Sequence, residues 1–260
     1  PSINPLPTVT RTAILSDIHG NLTALQSALE HVATQNVDRL ICLGDVVGYG
    51  PKPCQCLDKV MEFDFCVLGN HDSSALFDPE GFNVAAEQAI FWTRSQIECG
   101  GDGPEASRRR MKYICSLPRL VEEGAVLFVH GSPRGPTNEY VFPEDTQNIK
   151  KMDKLFSLIS HLCFQGHTHV PGVFTSDLRF VRPIDVPTGY DVRDRGERLM
   201  INVGSVGQPR DGDPRSCYVV YDEERIEFRR VEYDIERTVA AIEAEPELDD
   251  FLGYRLREGR

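Results

Sequence analysis

Asp17 and His19 stand two residues apart in "SDIHG", and His167 and His169 repeat that spacing in "QGHTH". If the backbone there is extended, residues two apart project to the same side, so each pair would aim two ligand atoms one way. Between the pairs lie Asp45 in "LGD", Asn70, His71 and Asp72 in "LGNHD", and His130 in "VHGSP". Imidazoles mixed with carboxylates and an amide oxygen suit iron, manganese or zinc, whereas calcium or magnesium calls for oxygen alone. The set is too large for one ion and large enough for two that share a carboxylate. Singly, each motif has a plain explanation: an Asp-x-His turn, a "GD" after a strand, an Asn-His-Asp turn, a satisfied surface pair of histidines. Five together, each closing an apolar run, point to one site.

Something must bring these segments together. "TAILS", "RLICLGD" and "FCVLGN" read as buried strands, and "NLTALQSALEHVATQ" and "PCQCLDKVMEF" between them as helices. Asn21 is placed to cap the first helix and Pro53 to open the second. Such alternation predicts a βαβ core, and α/β sheets hold their ligands outside the carboxyl ends of the strands. From about Phe82 to Leu117 two helical stretches read as an insertion and not a separate domain. "AVLFVHG" and "LCFQGH" read as strands flanking a helix in "DTQNIKKMDKLFSLIS". Beyond Gly172 the pattern is mostly β, with a last helix in "DIERTVAAIEA" and an acidic, weakly patterned segment over about 244–260. The expectation is one domain over 1–260.

Composition narrows the functions. A net charge of −12 repels phosphate backbones and disfavours avid nucleic-acid binding, though cations clustered in a cleft can still hold a small anion. "RRR" at 108–110, the only basic run, reads as a solvated helix face. No stretch approaches the ~18 apolar residues of a membrane span, and "PSINPLPTVTR" reads as a short tail without secretory features. The eight cysteines form no zinc pattern: Cys54 and Cys56 are spaced C-x-C, and Cys42, Cys66, Cys115, Cys163 and Cys217 sit in apolar contexts. That usage points to free thiols in a reducing, cytoplasmic setting. His31 and His161 fall on predicted helices away from the cluster and read as structural.

In order, "SDIHG", "LGD", "LGNHD", "VHGSP" and "QGHTH" resemble the five motifs of the calcineurin-like metallophosphoesterase superfamily, and "INVGSVGQPRDGDPR" resembles its prokaryotic branch of small phosphodiesterases. The resemblance implies a four-layer αββα sandwich around two transition-metal ions (manganese, iron or zinc, divalent or of mixed valence). It implies Asp17, His19, Asp45 and His169 at one metal and Asp45, Asn70, His130 and His167 at the other, with Asp45 bridging. His71 matches the family's catalytic histidine that binds no metal. "GDVVGYG" lacks the Asp-Arg pair of the protein serine/threonine phosphatases, which argues against a phosphoprotein substrate.

The implied reaction is hydrolysis of a phosphoester, a small phosphodiester or nucleotide, by a metal-activated hydroxide. His71 would protonate the leaving oxygen or stabilise its charge. A nuclease of the same chemistry and a non-catalytic scaffold are the alternatives; acidity counts against the first, and the complete ligand set against the second. Arg134 in "HGSPRGPTNEY" and Arg210 in "GSVGQPRDGDPR" are the candidates for gripping a phosphate oxygen, and the helical insertion could cover the cleft.

Overall fold

A computed structural model describes residues 10–77, 79, 81–194 and 196–260. The stretch read as an N-terminal tail lies outside these except for its last residues. One sheet has three parallel strands, β1 (Thr12–Leu15), β2 (Arg39–Cys42) and β3 (Phe65–Cys66), joined through helices α1 (Leu22–Val32) and α2 (Pro53–Val60). The helices α3 (Asn70–Leu76), α4 (Val84–Cys99) and α5 (Pro104–Ser116) follow. The second sheet starts with the hairpin of β4 (Leu120–Glu123) and β5 (Val126–Val129), and α6 (Ile149–Phe156) leads to β6 (Leu162–Gln165). Next come β7 (Gly172–Thr175), β8 (Phe180–Val181), β9 (Tyr190–Asp191) and β10 (Leu199–Asn202). The chain then returns to the first sheet with β11 (Ser216–Tyr221) and β12 (Arg225–Val231) before α7 (Ile235–Glu243) and α8 (Phe251–Tyr254). The strand orders are β3-β2-β1-β11-β12-β9 and β4-β5-β6-β10-β7-β8.

The strands alternate as a two-residue period demands. Ile14, Phe128, Leu162, Phe164, Leu199, Ile201 and Val219 meet between the sheets. Ala13 and Leu15 face the other way, onto α1 and α2, and Val129, Cys163 and Met200 face α6. Helix, sheet, sheet and helix thus form the four-layer αββα sandwich. Asn21 caps α1 by accepting from the Ala24 amide at 3.1 Å, and its Nδ2 donates to the Gly207 carbonyl at 2.9 Å, tying the helix to the loop after β10.

Several elements differ from the sequence reading. β4 and β9 have too little apolar pattern to announce themselves, and the second is two residues long. "LGNHD" does not continue a strand: β3 stops at Cys66, and Asn70 opens α3. Arg110 is not a solvated residue. It is 4% exposed and clamped between Asp58 (Nη2–Oδ2 2.5 Å) and Asp102 (2.7 Å), pinning α5 to α2. His161 precedes β6 outside any helix and shares its nitrogens with the Glu197 and Val192 carbonyls. Cys115 is exposed.

The two helices between Phe82 and Leu117 join existing layers: Ile97 and Ile114 enter the α1–α2 cluster. Ala89 and Trp92 pack on Ile242, Leu248, Leu252 and Leu256. The acidic C-terminal segment is therefore an ordered cap whose leucines are its buried face. No helix among the described residues is long and apolar enough to cross a membrane.

Candidate metal centre

All seven ligand candidates gather at the strand ends. The loops that carry them are zipped together by backbone hydrogen bonds: Asp17 N to Gly44 O (3.0 Å), His19 N to Asp45 O (2.9 Å), Gly166 N to His130 O (2.9 Å) and Gly207 N to Asp17 O (2.9 Å). Asp17, His19, Asp45, His130 and His169 are at most 1% exposed.

The backbone is not extended at these positions. Asp17, His19, Asp45, His167 and His169 all take left-handed conformations, with φ between 50° and 68°. Non-glycine residues adopt this region rarely, Asp, Asn and His most readily. His167 and His169 consequently do not point the same way. His169 Nε2 reaches Asp17 Oδ1 at 3.2 Å and His19 Nε2 at 3.2 Å. His167 Nδ1 reaches His130 Nε2 at 3.0 Å. Two glycines make the crowding possible. A β-carbon on Gly69 would collide with the Asp45 carboxylate, and one on Gly166 with Ser16 and Asp17.

Each of the four imidazoles is anchored by one nitrogen to a backbone carbonyl. His19 Nδ1 lies 3.2 Å from Val47 O, His130 Nδ1 2.8 Å from Leu43 O, His169 Nδ1 2.5 Å from Gln208 O, and His167 Nε2 3.2 Å from Asn138 O. A carbonyl only accepts, so each anchored nitrogen carries the proton and donates. The opposite nitrogen is turned inward, which is how metal-binding histidines are oriented. Asp45 links the two halves. Its Oδ2 lies 3.7 Å from His19 Nε2 and 3.3 Å from His130 Nε2, and its Oδ1 accepts from the His71 amide at 2.8 Å. Asn70 Oδ1 stands 3.0 Å from His130 Nε2.

Three groups could each hold a cation: Asp17, His19 and His169; His19, Asp45 and His71; and Asp45, His130 and His167. The donor set fits the metal. Asp17 Oδ1 is buried without a hydrogen-bond donor, and the inward ring nitrogens of His19 and His169, and of His130 and His167, lie 3.2 and 3.0 Å apart. Burial opposes charge on His130, yet Asp45 raises its pKa to about 10. A proton thus sits where a cation would neutralise the same carboxylate. Burial and the charge of His130 push His167 down to about 3. Burial opposes ionisation of Asp17, but His169 keeps its carboxyl well below the usual range.

His71 sits at the centre's edge. Its ring centroid is 4.7 Å from His19, 4.4 Å from Tyr49 and 4.9 Å from Phe82. Its Nδ1 is buried without a partner, and burial, with a contribution from Arg210, lowers it to about 4. Asp72 does not orient it. One Asp72 oxygen accepts from the Val46 and Val47 amides at 2.9 and 3.1 Å, and the other from Gly69 at 3.2 Å. Burial first and Asp45 second raise its pKa to about 7.

The two arginines differ. Arg134 is paired with Glu139, which also accepts from Ser132. Arg210 makes no ion pair among the described residues; Gln208 Oε1 holds its Nη2 at 2.6 Å, and its guanidinium lies 5.8 Å from the Tyr49 ring.

Sequence reasoning missed the supports. Gln208 orients His169, and Ser205 donates to Asp17 O at 2.8 Å. Asn202 Nδ2 holds the Gly166 carbonyl at 2.6 Å and Thr168 Oγ1 at 2.8 Å. The loop read as a substrate loop is thus also the scaffold of the H-x-H turn. Tyr49 and the C-terminal Arg255 were missed as well. Burial first, then Arg210, lowers Arg255 to about 10. Only the aromatic in "GYG" gave any signal.

Residues 11–225 match the calcineurin-like phosphoesterase superfamily domain. An uncharacterized protein of Methanocaldococcus jannaschii is 34% identical, the match covering 95% of this chain and 98% of that one. The phosphodiesterase YfcE of Escherichia coli is 27% identical over 77% of this chain and 82% of its own. The crystal structure of a metallophosphoesterase from Sphaerobacter thermophilus superposes with a TM-score of 0.81 at 35% identity, covering 97% of this chain and all of that one. With the clustered Asp and His donors, these matches make the chain a metal-dependent phosphoesterase, a member of the calcineurin-like phosphoesterase superfamily.

Proposed function

We propose that the protein hydrolyses a small phosphodiester or nucleotide with two transition-metal ions. Asp17, His19, Asp45 and His169 would hold one, and Asp45, Asn70, His130 and His167 the other. The observation that carries this reading is the single oxygen, Asp45 Oδ2, lying between His19 Nε2 and His130 Nε2 at 3.7 and 3.3 Å. Bound metals of this kind supply Lewis acidity and lower the pKa of water.

The chain's own residues do the rest. The carbonyl anchors fix the orientation of the imidazoles before any ligand arrives. His71 is neutral in the cleft without substrate, because burial depresses its pKa to about 4. An anionic phosphoester beside it would favour its charged form, and the leaving oxygen could then take its proton. His71 lies within ligand distance of His19 and Asp45. Arg210, without a carboxylate partner among the described residues, is available to a phosphate oxygen.

The YfcE relative is a phosphodiesterase, which favours diesters among the candidates. A net charge of −12 favours a compact substrate over a polyanion. Protein reconstituted with manganese, iron or zinc should be assayed on phosphomonoesters, phosphodiesters and dinucleoside polyphosphates. Hydrolysis of a small diester or nucleotide is expected. Metal-loaded protein inert towards all of them would end the reading.

A further inference from the structure

Next to the metal centre lies a cleft of about 410 Å³, within the ~300–1,000 Å³ usual for small-molecule sites. Asn70 and His167, two of the proposed ligands, form part of its wall, so it opens directly onto the place where the phosphate would bind. Phe77, Phe82 and Tyr140 are its large apolar elements, and Ser73 and Ser74 add hydroxyl groups.

Two of these aromatic residues are tied to the centre itself. The Tyr140 ring stacks on His167 with centroids 3.7 Å apart and planes 19° from parallel. Phe82 stands 4.9 Å from His71, nearly perpendicular to it. Tyr140 also stacks parallel to Phe142, with centroids 5.4 Å apart, yet it is 42% exposed and Phe82 is half-buried, so each keeps part of its surface open to a ligand. No lysine or arginine is among the described residues that line this cleft. A second phosphate would find no counter-ion there. Arg210, which makes no ion pair among the described residues, is held instead by Gln208 and packs over Tyr49.

Resting on the phosphoesterase reading above, we infer that this cleft receives the nucleobase of a nucleoside phosphoester, with Phe77, Phe82 and Tyr140 as its apolar walls. An uncharged planar ring with polar edges matches what the cleft offers: aromatic surface for the faces and hydroxyls for the rim. An aliphatic chain would leave the hydroxyls unused, and a sugar alone would leave the rings uncovered.

Matched thymidine and glycerol phosphoesters, as monoesters and as methyl diesters, test this. Calorimetric titration of thymidine 5′-monophosphate and glycerol 3-phosphate gives a second readout, independent of turnover. The intact enzyme should favour the thymidine ester in both kcat/KM and affinity. Phe82→Leu and Tyr140→Leu should each cut that preference about tenfold, the order expected for one lost base–aromatic contact, and Tyr140→Phe should restore it. Metal content of each variant separates this effect from a disturbed His167. Equal handling of thymidine and glycerol esters by the intact enzyme, or variants that weaken both alike, would overturn the assignment while leaving the phosphoesterase reading in place. Failure to hydrolyse either ester with any metal would instead strike the phosphoesterase reading.

Discussion

His130 Nε2 and His167 Nδ1 face each other across 3.0 Å, and the remaining nitrogen of each ring is committed to a backbone carbonyl. Two imidazoles cannot keep lone pairs in that relation without a proton or a metal between them. Metal should therefore stabilise the fold as well as serve catalysis. Manganese or zinc at a thousandfold excess over Kd contributes about 4 kcal/mol, a rise in Tm on the order of ten degrees. Differential scanning calorimetry with and without chelator measures it. An unchanged Tm would mean that no cation occupies this gap.

Asp45→Ala should release most of the bound metal and abolish turnover, because one carboxylate oxygen lies near both histidine groups. His169→Ala should empty one site first, since that side chain reaches only Asp17 and His19 among the ligands. Elemental analysis distinguishes the two, and full stoichiometry in Asp45→Ala contradicts the bridging role.

His71→Ala should retain both ions and lose about 10²–10⁴-fold in rate, the range for a general acid. The loss should shrink with good leaving groups, which need less protonation. Loss of metal would move His71 into the ligand set, where its proximity to His19 and Asp45 also permits it to stand.

Arg210→Ala should raise KM more for substrates with a second phosphate than for simple monoesters. Its side-chain hydrogen-bond partner among the described residues, the Gln208 amide oxygen, is neutral and leaves the charge available. Initial rates across mono- and polyphosphate esters decide it, and equal effects on both would remove Arg210 from substrate recognition.

Cys54 and Cys56 should prove dispensable for chemistry but unequal for stability. The Cys54 thiol contacts the Gln96 carbonyl at 3.3 Å, a partner that a serine hydroxyl can keep. Cys56 is fully buried in the α1–α2 cluster, so Cys56→Ser should cost about 1–3 kcal/mol for an unpaired buried hydroxyl. Thermal melts together with kcat per folded molecule check this. A fall in kcat with metal content intact would give these thiols a role in catalysis.

The βαβ core and the gathering of the ligands were legible in local pattern, apolar runs alternating with helical stretches and polar residues where those runs stop, whereas the four layers followed only from the motif resemblance. Asn21 and Pro53 were legible in local pattern too. "LGNHD" misled because the apolar residues before Gly69 look like strand, whereas only Phe65 and Cys66 pair. The pointing of His167 and His169 was hidden because Asp, Asn and His enter the left-handed region more readily than other non-glycine residues but still rarely, too weak a preference to read from sequence. The carbonyl anchors were hidden for a deeper reason: every residue has a carbonyl, and only tertiary structure says which one meets Gln208's ring partner, His169. Leu248, Leu252 and Leu256 are too sparse in an acidic segment to mark a buried face, although together with Trp92 they form one.

The left-handed backbone at Asp17, His19, Asp45, His167 and His169 also constrains how this chain can change over generations. A β-branched replacement there is rejected twice, once as a poor ligand and once by the clash of its own side chain with the peptide, at about 1–2 kcal/mol. Asparagine and glycine escape the second penalty but not the first. Lineages that abandon catalysis should therefore pass through those two residues, keeping the loops' shape after the metals are gone. In a saturation-mutagenesis library selected for folding alone, these positions should collect Gly and Asn, and in one selected for activity they should not move.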